Sequence, residues 1–476
     1  MVQYTQSVVF TMSILAAFAV PHPPIILPEI GKGEEKKIQK TIDAYKAVMK
    51  QAAALHPDTL IITSPHAELY ADYFHIAGGS RASGDFSQFR AGQVKVPVQY
   101  DVDLARLIAR EAKNQDIPAG FLGERNPELD HGTMIPLYFF RQYALLNRVK
   151  IVRIGLSALS PETHYKLGQA IAQAVDSLGR KAVFIASGDL SHKLLPEGPY
   201  GYVPEGPQFD AACTKVLGEG DFLHLLTLDT DMCQRAAECG LHSFWIMAGA
   251  LDGQQVAAKL LSYEGPFGVG YGVASFVPQG PDEGRKLLLP LLAEEARLRS
   301  ARKAKEDVYV RLARLSVETF VRTHQPAQLP AGLPEEMLKQ RAGAFVSLHL
   351  HGQLRGCIGT ISPVQKNLAL EILANGISAS TRDPRFSPVR PEELPDLVYD
   401  VDVLGQPEPI DDESQLDPRK YGVIVKSAYD SRKGLLLPDL DGVDTISQQV
   451  SIARQKGNIG PREPVKLWRF QVVRHL

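Results

Sequence analysis

The feature of the sequence that most restricts its fold is an apolar run, residues 8–20, that ends at a Pro-His-Pro-Pro turn around His22. A mainly apolar run predicts a buried strand, and the prolines end it because proline cannot donate to a sheet. Apolar residues recur at helical spacing over residues 34–55, and a second apolar strand follows at residues 58–63. This order predicts a β-α-β unit with parallel strands.

Four histidines stand next to predicted strand ends or helix starts. His22 and His66 follow the first and second strands, and parallel strands would place both at the carboxyl edge of the sheet, where open α/β sheets bind ligands. His131 lies between an acid and a glycine, and His192 ends a Ser-Gly-Asp-Leu-Ser-His stretch that follows another strand. A single histidine of this kind is usually structural, whereas four together indicate a functional site.

Two imidazoles and one carboxylate form the ligand set suited to non-haem Fe(II), which must bind both a substrate and dioxygen. We expect His22 and His66 to supply the imidazoles. Glu238, at a helix end near a glycine, is the expected carboxylate, and its neighbour Cys239 is the alternative ligand because a thiolate also binds metals. Adjacent side chains point apart, so one of the two should face the metal, and a thiolate would favour copper(I) or zinc over iron.

The two remaining histidines, His131 and His192, are candidates for proton transfer. A neutral imidazole near its pKa can take a proton from a bound phenol or enol and later return it. Asp189 lies three residues before His192 and is placed to orient it. We therefore predict His131, His192 and Asp189 to be catalytic groups beside the metal.

A second candidate site lies further along the chain, where Cys357 stands between two glycines and close to Arg355. Glycine lets the backbone approach a ligand, and a guanidinium lowers the pKa of a thiol and binds carboxylates. We therefore expect Cys357 to act as a nucleophile or proton carrier and Arg355 to bind a substrate. The alternative is that Cys357 is only a small residue in a tight turn.

A chain of 476 residues is too long for a single core, so at least two domains are expected. The strand and helix order predicts an α/β fold with an N-terminal three-layer α/β/α domain, residues 1–276, around a mixed and largely parallel sheet. Residues 277–304 are rich in Pro, Gly and charge and are expected to be a linker. Residues 305–476 are expected to form a smaller α+β domain.

Composition restricts the partners of the protein. The 52 Lys and Arg residues nearly balance the 54 Asp and Glu residues, which argues against nucleic acid and membrane surfaces and favours a small molecule. Four cysteines without a CxxC pair fit a reducing cytoplasm. The apolar N-terminal run lacks a basic segment before it, so we interpret it as a strand and not as a signal peptide. A homo-oligomer is the default expectation.

Residues 14–276 resemble the class III extradiol dioxygenase family, of the LigB type, and its relatives of the Memo family. The resemblance rests on Pro-His22-Pro-Pro, Ser-Pro-His66, Asp-His131-Gly, Gly-Asp-Leu-Ser-His192 and the Glu-Cys-Gly stretch that begins at Glu238. It implies that His22, His66 and Glu238 bind iron and that His131 and His192 are acid/base or substrate-binding groups. Memo relatives carry a cysteine where the dioxygenases carry the acid.

Residues 305–476 resemble the AMMECR family through Leu-Arg-Gly-Cys-Ile-Gly-Thr, residues 354–360, and Asp-Pro-Arg-Phe, residues 383–386. The fusion resembles the AmmeMemoRadiSam system, in which these two families accompany a radical-SAM protein. This chain lacks the three-cysteine cluster motif of such a protein, so that partner would be a separate chain.

The leading functional hypothesis is an Fe(II)-dependent dioxygenase whose substrates are dioxygen and an aromatic diol or enol. The C-terminal domain would prepare the substrate, with Cys357 interconverting keto and enol forms and Arg355 holding a carboxylate. Two alternatives remain open: a catalytically silent binding or scaffold protein, and a zinc or copper redox protein with Cys239 as a ligand.

Overall fold

The computed structural model describes residues 14–350, 353–440 and 442–476. The chain divides into two compact units, of which the first ends at Arg297 and the second begins at Leu298. Within the described ranges, no helix is both long and apolar enough to cross a membrane.

The central sheet of the first unit is mixed and largely parallel. The strands of this unit are β1 (Ile14–Val20), β2 (Thr59–Ser64), β3 (Phe74–His75), β4 (Arg81–Phe86), β5 (Ala91–Gln99), β6 (Ala119–Gly120), β7 (Lys150–Gly155), β8 (Ala182–Ser187), β9 (Gln254–Glu264) and β10 (Tyr271–Pro281). Six of them form one sheet in the order β7-β2-β8-β1-β10-β9. Strand β8 pairs in parallel with both β1 and β2, and β10 is antiparallel to β1 and to β9. The predicted parallel relation between the first two strands is thereby confirmed.

Helices cover both faces of this sheet. They are α1 (Pro28–Gly31), α2 (Gln39–Ala54), α3 (Val102–Asn114), α4 (His131–Phe140), α5 (Pro161–Leu178), α6 (Glu205–Glu219), α7 (Phe222–Leu226), α8 (Thr230–Ala236), α9 (Leu241–Ala250) and α10 (Leu288–Lys305), the last of which contains the boundary between the units. Ala17 and Ala19 of β1 point into a core shared with α3, α5 and α9, whereas Phe18 and Val20 point into a core shared with α2 and α4. Because both faces are buried, the strand is apolar throughout. The predicted three-layer α/β/α fold is confirmed.

One segment of the chain differs from the sequence expectations, and part of another lies outside the described residues. Residues 277–304 were expected to be a linker, but they contain the end of β10, the 3-10 turn Glu283–Arg285 and most of α10. The first part of the apolar run, residues 8–13, lies outside the described residues.

The second unit is smaller and has an α+β fold, as predicted. Its elements are α11 (Val308–Thr323), α12 (Glu335–Lys339), β11 (Ala344–Leu350), β12 (Gln353–Gly359), α13 (Leu368–Thr381), β13 (Leu397–Leu404), β14 (Glu408–Ile410), β15 (Gly422–Ser427), β16 (Lys433–Leu436), α14 (Ile446–Lys456), β17 (Val465–Phe470) and β18 (Val472–His475). They form two antiparallel sheets in the orders β12-β11-β13-β18 and β14-β17-β15-β16.

One face of the first of these two sheets packs against α11 and α13. Val346 and Leu348 of β11 share a buried core with Val310 and Val317 of α11 and Ile372 of α13. Because side chains alternate along a strand, the residues between these apolar positions, such as Ser347, lie on the opposite face. That face carries the candidate cysteine of the second unit.

Candidate metal centre

The candidate groups of the first unit meet at one edge of its sheet. His22 follows β1, His66 follows β2, and Asp189 and His192 follow β8, which lies between those two strands in the sheet. Because the three strands are parallel, their carboxyl ends lie side by side. The expectation that His22 and His66 share the carboxyl edge is therefore confirmed.

The position and protonation of the His22 ring are fixed by buried hydrogen bonds. Its backbone N–H donates to Asp189 Oδ1 at 2.7 Å, and its ring Nδ1 lies 3.0 Å from Ser187 Oγ. The Ser187 hydroxyl donates its only proton to the carbonyl oxygen of Gly132 at 2.7 Å, so Ser187 Oγ must accept from His22 Nδ1. His22 Nε2 therefore carries a lone pair, which is the form in which a histidine binds a metal.

This lone pair faces a second imidazole. His66 Nε2 lies 3.0 Å from His22 Nε2, and the two rings are at an interplanar angle of 84° with centroids 4.7 Å apart. Burial lowers the pKa of His22 well below its ordinary value and also lowers that of His66, so both rings are neutral near pH 7. Two neutral imidazoles with converging Nε2 atoms fit a shared cation.

The third group at this point is the thiol of Cys239. Its Sγ lies 3.6 Å from His22 Nε2, and the ligand atoms of His22, His66 and Cys239 all lie within 4.8 Å of one another. Burial raises the pKa of the thiol above its ordinary range, whereas coordination to a metal ion deprotonates a thiol outright. The two imidazoles and the thiol are a donor set that fits a transition-metal ion.

Glu238, the expected carboxylate ligand, does not join this cluster. Its Oε2 accepts from the backbone N–H of Leu241 at 2.7 Å, at the start of α9, and burial raises its pKa to about 7. Glu238 belongs to no group of converging metal-ligating atoms among the described residues, whereas its neighbour Cys239 does. The geometry therefore disagrees with Glu238 as the third ligand and agrees with the alternative, because adjacent side chains point in different directions.

His131 stands next to the two imidazoles at the first position of α4. Its ring centroid lies 4.0 Å from that of His66 and 5.4 Å from that of His22. Asp130 caps the helix by accepting from the backbone N–H of Thr133 at 2.9 Å. This cap fixes the start of α4 and therefore the position of His131. Burial, followed by the neighbouring imidazoles, lowers the pKa of His131 to about 3, so the ring is neutral near pH 7.

His192 and Asp189 lie next to the thiol of this cluster. A carboxylate oxygen of Asp189, a ring nitrogen of His192 and Cys239 Sγ lie within 4.8 Å of one another. Burial raises the pKa of Asp189 to about 6 and lowers that of His192. The structure therefore brings together every site residue expected in this unit except Glu238.

Several residues that shape this site were not predicted from the sequence. Ser187 fixes the His22 tautomer, Ser64 donates to Asp130 at 2.6 Å, and the Phe89 ring meets the edge of His131 at 5.4 Å. Tyr200, an exposed residue, stacks on His192 with ring centroids 5.2 Å apart. The Asp-His-Gly-Thr pattern around His131 carries an N-cap signal that identifies Asp130, whereas no local pattern identifies the other four.

A close approach of two backbones holds the loop after β8 against the segment that carries Cys239. A Cβ atom added to Gly188 would lie 2.0 Å from the Cα of Gly240. The Asp189 N–H donates to Cys239 Sγ at 3.3 Å, and the Cys239 N–H donates to the Asp189 carbonyl oxygen at 3.3 Å. Glycine at position 188 is therefore required for the thiol to reach the histidines.

In the second unit, the expected substrate-binding group Arg355 is occupied by structural contacts. Its guanidinium donates to both carboxylate oxygens of Glu393, at 2.7 and 3.1 Å, and to the carbonyl oxygens of Ser387 and Pro388. The guanidinium beside Cys357 is instead that of Arg385, whose Nη2 lies 3.4 Å from the Cys357 carbonyl oxygen. The geometry thus disagrees with Arg355 as a substrate ligand. The Asp-Pro-Arg-Phe stretch was the sequence signal for Arg385.

Comparison with known proteins finds a matching family for each of the two units. The family model described as the catalytic LigB subunit of aromatic ring-opening dioxygenase matches residues 16–274, which is more than half of the chain. The AMMECR1 family model matches residues 310–475. A Clostridium acetobutylicum protein is 41% identical over 476 residues, covering 98% of this chain and 99% of its own length. A Thermotoga maritima protein is 51% identical over 172 residues, covering 36% of this chain and 98% of its own length.

Two solved structures are also similar to parts of the chain. A Pyrococcus horikoshii protein covers 35% of this chain and 88% of its own at 28% identity with a TM-score of 0.33. An Escherichia coli K12 protein covers 55% of this chain and 99% of its own at 14% identity with a TM-score of 0.39. Because the LigB model matches more than half of the chain and the relative of 41% identity covers nearly all of it, the chain belongs to the family of the catalytic LigB subunit of aromatic ring-opening dioxygenases, and its LigB domain is fused to an AMMECR1 domain.

Proposed function

We propose that the first unit is a metal-dependent dioxygenase that acts on an aromatic diol or a comparable enol, with Fe(II) held by His22, His66 and Cys239. The observation that carries this proposal is the convergence of the two Nε2 atoms and the thiol at the carboxyl edge of a LigB-family sheet. When bound, such an ion supplies the redox-active Lewis acid that dioxygen chemistry requires.

The protein's own residues bind the substrate and move its protons. Phe89 and Tyr200 are aromatic groups that contact His131 and His192 respectively, and they offer surfaces against which a planar ring can pack. His131, held neutral by burial, accepts a hydrogen bond from a substrate hydroxyl at a ring nitrogen and is the candidate base for its proton. His192 returns a proton to the product, and Asp189 favours the imidazolium form of His192 electrostatically.

A second candidate, a copper or zinc redox protein, is favoured by one specific observation. The third ligand position holds a thiol in place of the carboxylate typical of non-haem iron sites, and soft thiolates favour copper(I) and zinc. Zinc has no redox chemistry of its own, so copper is the stronger competitor to iron.

Metal loading and oxygen uptake test the proposal. The anaerobically purified chain, treated separately with Fe(II), Cu(I) and Zn(II), is expected to retain about one iron per chain and to consume oxygen with catechol only after iron loading. His22→Ala and Cys239→Ala should each abolish retention of the metal. Glu238→Gln is the matched control, because it changes the adjacent residue and leaves the converging atoms in place.

Three results would contradict the assignment. Retention of iron by Cys239→Ala together with its loss in Glu238→Gln would restore the carboxylate ligand. Oxygen uptake with copper and not with iron would favour the copper protein. A chain that retains none of the three metals would favour the binding or scaffold alternative.

A further inference from the structure

Cys357 of the second unit lies on the sheet face that points away from the helical core. It pairs in register with Ser347 of β11, so the two side chains share a face, and Ser347 Oγ donates to Cys357 Sγ at 3.2 Å. Ile358, the next residue, packs towards the core of α11 and α13. The thiol itself is half-buried and therefore accessible to a small molecule.

Asp383 holds a guanidinium beside this thiol. Its Oδ2 accepts from the Cys357 backbone N–H at 2.8 Å, and its two oxygens accept from Nε and Nη2 of Arg385 at 2.9 and 2.7 Å. Arg385 Nη2 also lies 3.4 Å from the Cys357 carbonyl oxygen. Within the described residues, no hydrogen bond occupies Nη1 of Arg385, so that group remains available to a ligand.

A second cation, Lys456 at the end of α14, acts electrostatically on the same thiol and guanidinium. Its charge interacts with Cys357 and Arg385, and partial desolvation lowers its pKa. No ion pair links Lys456 to a carboxylate in the described part of the chain. The other nearby acid, Asp402, is neutralised by Arg474 at 2.9 Å. Arg385 thus lies beside Cys357, Lys456 acts on the same thiol through its charge, and Asp383 compensates only Arg385.

We propose that Lys456, Arg385, Ser347 and Cys357 form a binding site for a small carboxylate-bearing molecule. The two cations hold the carboxylate, and the thiol lies beside the rest of the ligand. An unpaired ammonium group, such as that of Lys456, concentrates anions locally, and a guanidinium with a free N–H group suits a carboxylate oxygen. This site is built entirely within the second unit and is independent of the metal centre.

Alkylation of Cys357 in the full-length chain reports on these charges. Anionic iodoacetate and neutral iodoacetamide modify thiolates by the same displacement, in which the Sγ–CH2 bond forms and iodide leaves. Peptide mass spectrometry gives the ratio of the iodoacetate rate to the iodoacetamide rate at Cys357. This ratio is expected to be about 10-fold higher than the same ratio for reduced glutathione. Malonate should slow the modification more than sodium chloride at equal ionic strength.

Two variants and a control complete the test. Lys456→Met and Arg385→Gln should each lower the rate ratio towards that of glutathione. Lys466→Met should not, because Lys466 is an exposed lysine of β17 and is not one of the groups that we place at Cys357. Lys456 is at an exposed helix end, so its replacement should not prevent folding. A ratio equal to that of glutathione in the unaltered chain overturns the proposal. Protection by phosphate but not by malonate overturns the assignment of a carboxylate ligand.

Discussion

The two candidate sites of this chain are built in opposite ways. The histidine site is made from short loops after three adjacent parallel strands, together with His131 at the start of α4 and Cys239 just before α9. Its central ring, His22, is only 2% exposed. The site around Cys357 lies on an edge strand, and its charges come from the exposed residues Arg385 and Lys456. In the first site, buried backbone contacts fix the geometry, whereas in the second, long side chains supply an electrostatic field. Backbone changes should therefore damage the first site, and charge changes should alter the second.

The largest expected effect is that of Gly188→Ala. The added Cβ would lie 2.0 Å from the Cα of Gly240, and neither backbone can move without breaking buried hydrogen bonds around Asp189. We expect the first unit to lose about 3 kcal/mol of unfolding free energy. Denaturant unfolding of the full chain measures this loss, and the alkylation of Cys357 should keep its preference for iodoacetate.

Gly78→Ala is the control for this substitution. The nearest atom to its added Cβ is a side-chain carbon of Phe121 at 3.9 Å, which is an ordinary contact. Equal destabilisation by both variants would mean that the contact between the two glycine backbones does not hold the site together. Loss of the iodoacetate preference in Gly188→Ala would mean that the two sites are not independent.

A smaller effect is expected from Ser187→Ala, which removes the acceptor for His22 Nδ1–H. The ring can then rotate or adopt the other tautomer, and loss of such a partner of a ligating histidine typically weakens metal binding about 10- to 100-fold. Competition with a metal chelator measures the dissociation constant. The expected result is a weaker metal site in a folded chain.

Ser243→Ala is a closely matched control for Ser187→Ala. Its buried hydroxyl donates to the carbonyl oxygen of Ser187 at 2.9 Å and, in the described part of the chain, is hydrogen-bonded to no imidazole. The two variants remove similar buried hydrogen bonds, so similar losses of unfolding free energy are expected. A similar loss of metal affinity in both would show that Ser187 acts only through stability.

The sequence was sufficient to place most of the histidine site because its information is local. An apolar run followed by a proline-rich turn determines where His22 stands, and the topology of parallel strands then brings His66 and His192 to the same edge. The choice between Glu238 and Cys239 was not local. It depends on a backbone contact between Gly188 and residues about 50 positions further along the chain.

The thiol site was harder to predict for the same reason. A guanidinium two residues from Cys357 was the obvious local candidate, because residues 355 and 357 share a face in a regular strand. The register between β11 and β12 shifts at Arg355, however, and interrupts this alternation. Arg355 lies in a strand and meets Glu393, whereas Arg385 is brought in by Asp383 from a separate segment. Partners that are distant in the chain are specified by tertiary packing, which no single stretch of sequence contains.

The smallest expected change in a binding readout is that of Arg355→Met, and it distinguishes Arg355 from Arg385. Arg355→Met removes two hydrogen bonds to Glu393 in a mostly buried pair and should lower the unfolding free energy by about 2 kcal/mol. It should leave the ratio of iodoacetate to iodoacetamide rates at Cys357 nearly unchanged, because Arg355 has its donors directed at Glu393 and backbone carbonyls. Glu393→Gln is the matched variant, because it weakens the same pair from the other side while leaving the guanidinium in the chain. A fall in the rate ratio for Arg355→Met as large as that for Arg385→Gln would return Arg355 to the ligand site and remove the contrast between a structural and a ligand-binding arginine.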